Sequence, residues 1–487
     1  MCVRDRFYRL CFIITVGVCL YKLLFSRSTH VVVHLKGIAS LSKINLKLVQ
    51  VQVFFRHGAR TPLHYIKSSL ADCVWTPDST KDAPETVIPI EHVDIFDQTP
   101  VDEDTVDLTY KPYKLPGGES IGMLTTVGQK ELYQLGIRLR KEYAGADNLI
   151  SDPVNLAEIQ VRSTRVGRNI KSLRSLIAGM TEGHVEKPLV IPTMRFEEDV
   201  LFPNTQTCPW LKKMFIEGTE ELKTCPGLST LKKKLREALR VDHLIDELED
   251  EEGKESRDCQ VYYVRDDYIA RKHNNFPLPP TLSALDPEVD HFSAVELLSE
   301  LLGARRNWTA NLDVNIGPVL HIILSKIRAY ADIPPLQLMA VHDSTLLPLL
   351  CALDCCDEIW PPFGADIIFE IYSQTSGSSV SEFLGPVKDT NFTSNDNIDS
   401  KIDWTTDILD NLWVRVRYLG KGQPLASLWN LPESVHRMTG SNEFIPLRYV
   451  VQKLTPFALS LTDYRIKCQS LMDDAEPAGK IHGAKNL

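Results

Sequence analysis

The sequence predicts an α/β fold: a mostly parallel central sheet flanked by helices, with a mainly helical cap inserted into it. Three observations predict it. Apolar alternation of period two and apolar stripes of helical period follow one another as strand, helix, strand, helix between residues 45 and 181, an order that builds parallel sheets. From 182 to 306 the texture becomes lysine-rich and helical. Short apolar strands return after 307.

The first strand spans 47–55, with Val49, Val51, Val53 and Phe55 on one face. Residues 64–120 carry recurring prolines without a helical period and read as a long loop bordering a site. Its piece 114–118 is a turn. After Thr125, the stripe Val127, Leu132, Leu135, Leu139 and Tyr143 predicts a helix. The second strand is 158–162. Ser163 or Thr164 is the expected cap of the next helix, whose apolar face is Val166, Ile170, Leu173 and Ile177.

In the cap, 201–234 mixes Trp210, Met214 and Phe215 with lysines, and 246–255 is an acidic run expected on a solvated face. The proline-rich piece 274–280 ends any helix. Pro318 suits the first turn of a helix over 319–330. A strand at 337–341 runs into His342-Asp343, and Ser344 is the expected cap of a buried helix over 346–353. Segments 366–372 and 412–418 read as an antiparallel pair. The expected blocks are therefore 1–30 as targeting or membrane-anchor segment, 45–181 and 307–472 as catalytic domain, 182–306 as cap, and 473–487 as flexible tail.

The 487 residues are enough for one large core or two domains. A net charge of −10 opposes a nucleic-acid partner, since a polyanion calls for a basic field. The 11 cysteines are scattered and odd in number, with no paired C-x-x-C pattern for zinc and none that requires a disulfide. The N-terminus places Arg4, Arg6 and Arg9 before an uncharged run over 10–21, shorter than a membrane span of about 20 residues. Signal peptide, membrane anchor and mitochondrial presequence all fit that pattern. Asn307 and Asn391 head glycosylation sequons, which matter only in a secreted chain.

The chemistry points to one place. Arg56-His57-Gly58-Ala59-Arg60 follows the first strand, and open α/β sheets bind ligands beyond their strand ends. Two arginines supply fixed charge and paired donors for a phosphate. His57 between them is placed to attack phosphorus and carry a phosphohistidine. Arg162, at the end of the second strand, is the third expected phosphate ligand. His342 is expected to donate to a phosphate oxygen. Asp343 is expected to protonate the leaving alkoxide and then activate water. No Walker-type loop or H-E-x-x-H segment is present, which disfavours nucleotide-driven and zinc chemistry. No cofactor is expected.

The segment 48–60, together with Arg162-Ser-Thr164, 201–204, 340–343 and 360–363, resembles the histidine acid phosphatase family, and within it the members acting on lysophosphatidic acid. The resemblance covers roughly 45–470. It implies the histidine phosphatase fold, His57 as nucleophile, Arg56, Arg60 and Arg162 as phosphate ligands, His342 assisting, and Asp343 as proton donor. It further implies hydrolysis of lysophosphatidic acid to monoacylglycerol and phosphate, without a metal, in mitochondria. The expected partner is a small phosphomonoester, a lysophospholipid, taken by a monomer with membrane association through its N-terminus. One departure is Arg165, where many relatives carry an acidic residue; it either widens the phosphate field or faces solvent.

Two other functions compete. A broad-specificity or sugar phosphatase of the secretory route predicts a polar groove leading from His57, where a lipid enzyme predicts an apolar one. Trp210, Met214, Phe215 and Phe276 suffice to line such an apolar groove, and equally to form a cap core. A catalytically dead binding protein is disfavoured because every chemical position is filled.

Overall fold

The computed structural model describes residues 44–66, 73–101, 105–145, 148–239, 260–278, 280–376 and 404–473. The expected N-terminal targeting segment, the acidic run, the Asn391 sequon and nearly all of the C-terminal tail lie outside the described residues. Residues Lys43–Leu487 form one compact unit, within which the cap is not a separate body.

The nine strands among the described residues form a single sheet. They are β1 (Asn45–Arg56), β2 (Ile90–Asp94), β3 (Ile159–Ser163), β4 (Leu189–Thr193), β5 (Leu336–Val341), β6 (Asp366–Ser376), β7 (Leu412–Tyr418), β8 (Lys421–Gly422) and β9 (Phe444–Pro446). Their order is β2-β4-β3-β5-β1-β6-β7-β8, with β9 also paired to β7. From β2 to β1 every pairing is parallel. From β1 through β6 to β7, and on to β8 and β9, every pairing is antiparallel. The sheet is therefore mixed rather than mostly parallel. The antiparallel pair expected at 366–372 and 412–418 is present, and it extends the sheet beyond β1 instead of standing apart.

Four of the described strands were hidden in the sequence, the two- and three-residue β8 and β9 and the longer β2 and β4. β2 lies inside the stretch read as a long loop, and β4 lies inside the stretch read as cap. Both have five residues. β4 alternates cleanly, Leu189 and Ile191 buried against Val190 exposed, but a strand this short is easily outweighed by its helical surroundings.

The longer helices are α1 (Thr126–Tyr143), α2 (Gly167–Thr181), α3 (Trp210–Leu222), α4 (Pro226–Leu239), α5 (Val261–His273), α6 (Asp286–Leu302), α7 (Leu312–Arg328), α8 (Asp343–Ala352) and α9 (Leu461–Asp473). α1 starts where expected, capped by the Thr125 side chain, which accepts from Gly128 N. α2 begins later than expected: its cap position is Val166, and neither Ser163 nor Thr164 caps it. Both are instead buried at the end of β3. Pro318 sits inside α7 rather than in its first turn. α8 begins directly at Asp343 with His342 as its cap residue, one turn ahead of the expected start.

The core has one half on each side of the sheet. Val51, Val53 and Phe55 of β1 pack with α1 and α2, while Phe54 packs with α7 and α8. Burying a side chain of this size contributes about 1.5–3 kcal/mol. The period-two pattern of β1 thus locks its register and carries Arg56 and His57 to a defined edge. In the cap, Leu228, Leu231 and Leu235 of α4 pack on Val261 and Val264 of α5 and on Val289 of α6. A Cys208–Cys468 disulfide, which the sequence did not call for, joins the segment before α3 to α9.

Candidate active site

β1, β3 and β5 run parallel, so their C-terminal ends share one edge of the sheet. His57 follows β1, Thr164 follows β3 and His342 follows β5. The His57 and His342 rings lie 5.9 Å apart. Thr164 Oγ1 and His342 Nε2 are within hydrogen-bond distance at 3.0 Å.

His57 Nδ1 lies 2.9 Å from the Gly58 carbonyl. A carbonyl can only accept, so Nδ1 carries the proton and Nε2 keeps its lone pair. Burial, then the charges of Arg168, Arg56 and Arg60, holds the His57 pKa well below its usual value. The ring is neutral across the physiological range, the state a nucleophile needs. Gly58 is required by close approach: a Cβ there would meet the Gly128 carbonyl oxygen at 2.2 Å. The loop is held further by Gly58 N donating to Ser172 Oγ (3.2 Å) and Ala59 N donating to Glu131 Oε2 (2.8 Å).

Arg56 is 2% exposed. Its Nη2 meets Asp343 Oδ2 at 2.6 Å and its Nη1 donates to the Pro361 carbonyl at 2.7 Å. Its guanidinium lies 4.3 Å from the centre of the Phe363 ring. Burial lowers the Arg56 pKa to about 10, against the pull of Asp343, and leaves it charged at neutral pH. Asp343 also accepts from Trp360 Nε1 at 2.9 Å. Burial pushes its carboxyl up, but Arg56, Arg60, His342 and the indole N–H outweigh that and bring it down to about 2. His342 is held at about 3 by burial and by Arg168, with Asp343 pulling the other way.

Arg60 reaches the cap: its Nη2 meets Asp266 Oδ1 of α5 at 2.6 Å. Asp266 Oδ2 accepts from Leu63 N (2.6 Å) and His64 N (2.9 Å), tying α5 to the loop after the motif. Beside it on α5, Arg265 lies 4.8 Å from the centre of the Trp360 ring and ion-pairs with Asp290 at 2.6 Å.

Arg56, His57, Arg60, His342 and Asp343 come together at this edge, and Arg162 does not join them. Its Nη2 lies 3.5 Å from the fully buried Asp199, and its charge is felt by Lys326 of α7. β3 extends through Ser163, so Arg162 is still inside the pleat and points to a face of the sheet. The third arginine is Arg168, the second residue of α2 and 8% exposed. It is the strongest charge acting on both His57 and His342. Its Nε and Nη1 both find no acceptor among the described residues, whereas Arg56, Arg60 and Arg162 each leave only Nε without one. Buried guanidinium donors left this way favour an anion, and the N-terminus of α2 adds its dipole.

Arg168, Asn169 and Ser172, in the first two turns of α2, are all buried. Asn169 Nδ2 donates to the Val341 carbonyl just before His342. Arg165 neither widens the phosphate field nor faces solvent. Its Nη2 pairs with Asp94 at 2.7 Å and its Nε donates to Thr193 Oγ1, joining β3 to β2 and β4.

Three of the four residues offered for a tail groove, Trp210, Met214 and Phe276, pack elsewhere. Met214 sits in a cluster with Cys208, Leu211, Val314 and Tyr464, and Trp210 packs at its margin. Phe276 lies against Trp75 with ring centres 4.6 Å apart.

A neutral imidazole among buried guanidinium donors, with a carboxylic group opposite, defines a phosphate-monoester site of the phosphohistidine class. The chain belongs to the histidine phosphatase superfamily (branch 2), whose family model matches residues 47–384. It is 31% identical over 342 residues to the lysophosphatidic acid phosphatase type 6 of Homo sapiens, covering 67% of this chain and 74% of that one. It is 30% identical over 283 residues to the lysosomal acid phosphatase of Xenopus laevis, covering 53% of this chain and 60% of that one. Among solved structures, Hafnia alvei phytase in complex with tartrate shares the fold at a TM-score of 0.50 and 12% identity, over 86% of this chain and 98% of that one.

Proposed function

We propose that this phosphoric monoester hydrolase accepts a broad range of phosphomonoesters and works through a phosphohistidine on His57. The observation that carries the reading is the neutral His57 ring among the buried, unsatisfied donors of Arg56, Arg60 and Arg168. The arginines hold the phosphate, and His57 Nε2 attacks in line with the leaving oxygen. His342 donates to an equatorial oxygen. Asp343 begins as a carboxylate bound to Arg56. Incoming phosphate competes for that guanidinium and adds negative charge, and both effects raise the Asp343 pKa. A proton then becomes available for the alkoxide, and the resulting carboxylate activates the hydrolytic water.

The broad range is supported by the polar surroundings of Asp343, where the Arg265 guanidinium acts on its carboxyl and the Trp360 indole donates to it. A second reading, lysophosphatidic acid as the main substrate in mitochondria, is favoured by the 31% identity to an enzyme of that name. One experiment separates them. Rapid-quench labelling is to trap phosphate on His57, with no label and no turnover in His57→Ala. A panel of lysophosphatidic acids of graded chain length, phosphosugars, phosphotyrosine and inositol phosphates then sets the range. A buried tail would raise kcat/KM by up to about fourfold per methylene, from about 0.8 kcal/mol each. Similar values for lipid and sugar esters support broad range. A steep chain-length series selects the lysolipid reading, and label on another residue rejects the mechanism.

A further inference from the structure

Arg168 stands on a helix rather than on the loop after β1, so its place depends on how the first turn of α2 is held. The residue at the cap position does not hold it: Val166 is extended and makes no side-chain bond to the turn. The acceptor comes from the stretch between β2 and α1. Residues Thr105–Tyr110 form a short helix there, and Asp107 Oδ1 accepts from Gly167 N, the first residue of α2, at 3.3 Å. A first-turn N–H has no partner within its own helix, and a carboxylate beside it also meets the favourable end of the helix dipole.

The fit is close. A Cβ on Gly167 would meet Asp107 Oδ2 at 1.9 Å and Asp107 Cγ at 2.8 Å. Gly167 is not among the residues of positive φ, so glycine is needed there for room and not for backbone freedom; alanine would otherwise be the better helix residue. Tyr110, three residues after Asp107, shares its face of the short helix. Its ring centre lies 5.8 Å from the Arg168 guanidinium carbon, within the range of a cation–π contact. One short helix thus touches both the backbone that starts α2 and the side chain of Arg168. That side chain is 8% exposed and keeps Nε and Nη1 without an acceptor among the described residues. Burial pushes the Asp107 carboxyl up, and Arg168 is the strongest charge opposing that rise.

We propose that Asp107 is a positioning residue for the phosphate site, fixing the first turn of α2 and with it the guanidinium of Arg168. The inference rests on the phosphohistidine reading above. Asp107 acts through Arg168 and not on the phosphate itself, since two anions repel. Its carboxylate is useful near the site only while the N-terminus of α2 holds it.

The test compares Asp107→Ala, Arg168→Ala and the double variant in the full chain. It measures inhibition by inorganic phosphate and kcat/KM on nitrophenyl phosphate. The rise in Tm that phosphate produces reads binding without turnover. Asp107→Ala is expected to weaken phosphate inhibition by about 5- to 20-fold, less than the roughly 100-fold that a 1 Å misplacement can cost, and to lower kcat/KM alongside. In the Arg168→Ala background the same substitution should change phosphate inhibition by less than about twofold, because its effect runs through a side chain already removed. A cap that is merely structural would lower Tm in both backgrounds and leave phosphate inhibition unmoved. That result overturns the proposal, and so do equal losses in the two backgrounds. Two further variants decide the matter if Asp107→Ala does not fold. Asp107→Asn keeps the acceptor and should stay within about threefold of the parent. Gly167→Ala drives the carboxylate aside and should weaken phosphate inhibition by at least about fivefold. The reverse order, or equal values for the two, overturns the proposal. Failure to trap phosphate on His57 of the parent would reject the phosphohistidine reading instead, and the Tm response to phosphate would still report on Asp107.

Discussion

Replacing Arg168 and Arg162 separately by alanine distinguishes a phosphate ligand from a structural cation. Arg168 is buried, dominates the field at both histidines and has donors without acceptors. A charge-assisted hydrogen bond is worth about 1.5–3 kcal/mol. Two such bonds to phosphate, with Arg56 and Arg60 still in place, set the loss at about 3–4 kcal/mol. That corresponds to about 10²–10³ in kcat/KM. Arg168→Lys should recover only part, because lysine keeps the charge and loses the fork. Arg162→Ala leaves Asp199, fully buried, without its cation. Asp199 keeps the Leu201 N–H at 3.0 Å, and the ion pair is long, so the low end for a broken buried pair applies, about 3 kcal/mol of stability. The assays are kcat/KM on nitrophenyl phosphate, inhibition by inorganic phosphate, and thermal unfolding. Arg168→Ala should weaken phosphate inhibition at near-normal Tm. Arg162→Ala should lower Tm by several degrees and leave phosphate inhibition within about threefold. If Arg162→Ala weakens phosphate inhibition tenfold and Arg168→Ala does not, the reasoning from field and strand position is wrong.

Asp343→Asn should slow alkyl phosphates by about 10²- to 10⁴-fold, the range of general acid catalysis, and nitrophenyl phosphate far less, because a phenolate departs unaided; equal losses on both would remove Asp343 from the donor role. Glu300 of α6 titrates abnormally, pushed up to about 8 by burial and by Glu296. Its folded pKa lies above its unfolded one, so the fold keeps a proton that the unfolded chain releases, and stability is lost as pH rises from about 4.5 through 8. Glu300→Gln should therefore gain Tm over the parent as pH goes from 5 to 8, by a few degrees for about 2 kcal/mol; parallel Tm curves for the two proteins would show that Glu300 ionises normally.

The catalytic edge was legible because its signals are local. A strand pattern that stops at Arg56, and another that stops at His342, place both motifs at strand ends, and parallel strands share those ends. The cap was legible as texture, though β4 within it belongs to the sheet. Choosing between Arg162 and Arg168 was beyond local pattern. It turns on whether β3 ends at 162 or at 163 and on which residues of α2 face the site, and a one-residue difference reverses a side chain's direction.

The sequence by itself determined the chemistry on offer and the order of the elements that carry it. Arg56, His57, Arg60, His342 and Asp343 needed only the strands beside them to be found. Tertiary structure decided what depends on distant partners. The antiparallel half of the sheet arises because β6 pairs with β1, more than 300 residues earlier in the chain (Asn45 with Ser376). The Asp266 clasp on Arg60 spans 206 positions, and the Cys208–Cys468 bridge spans 260. The fold also set the charge states. His57 is neutral because burial and the charges of Arg168, Arg56 and Arg60 disfavour its cation, and Asp343 is ionised because Arg56 and Arg60 outweigh its burial. Such fields add in space over a few ångströms, and no spacing along the chain encodes that distance.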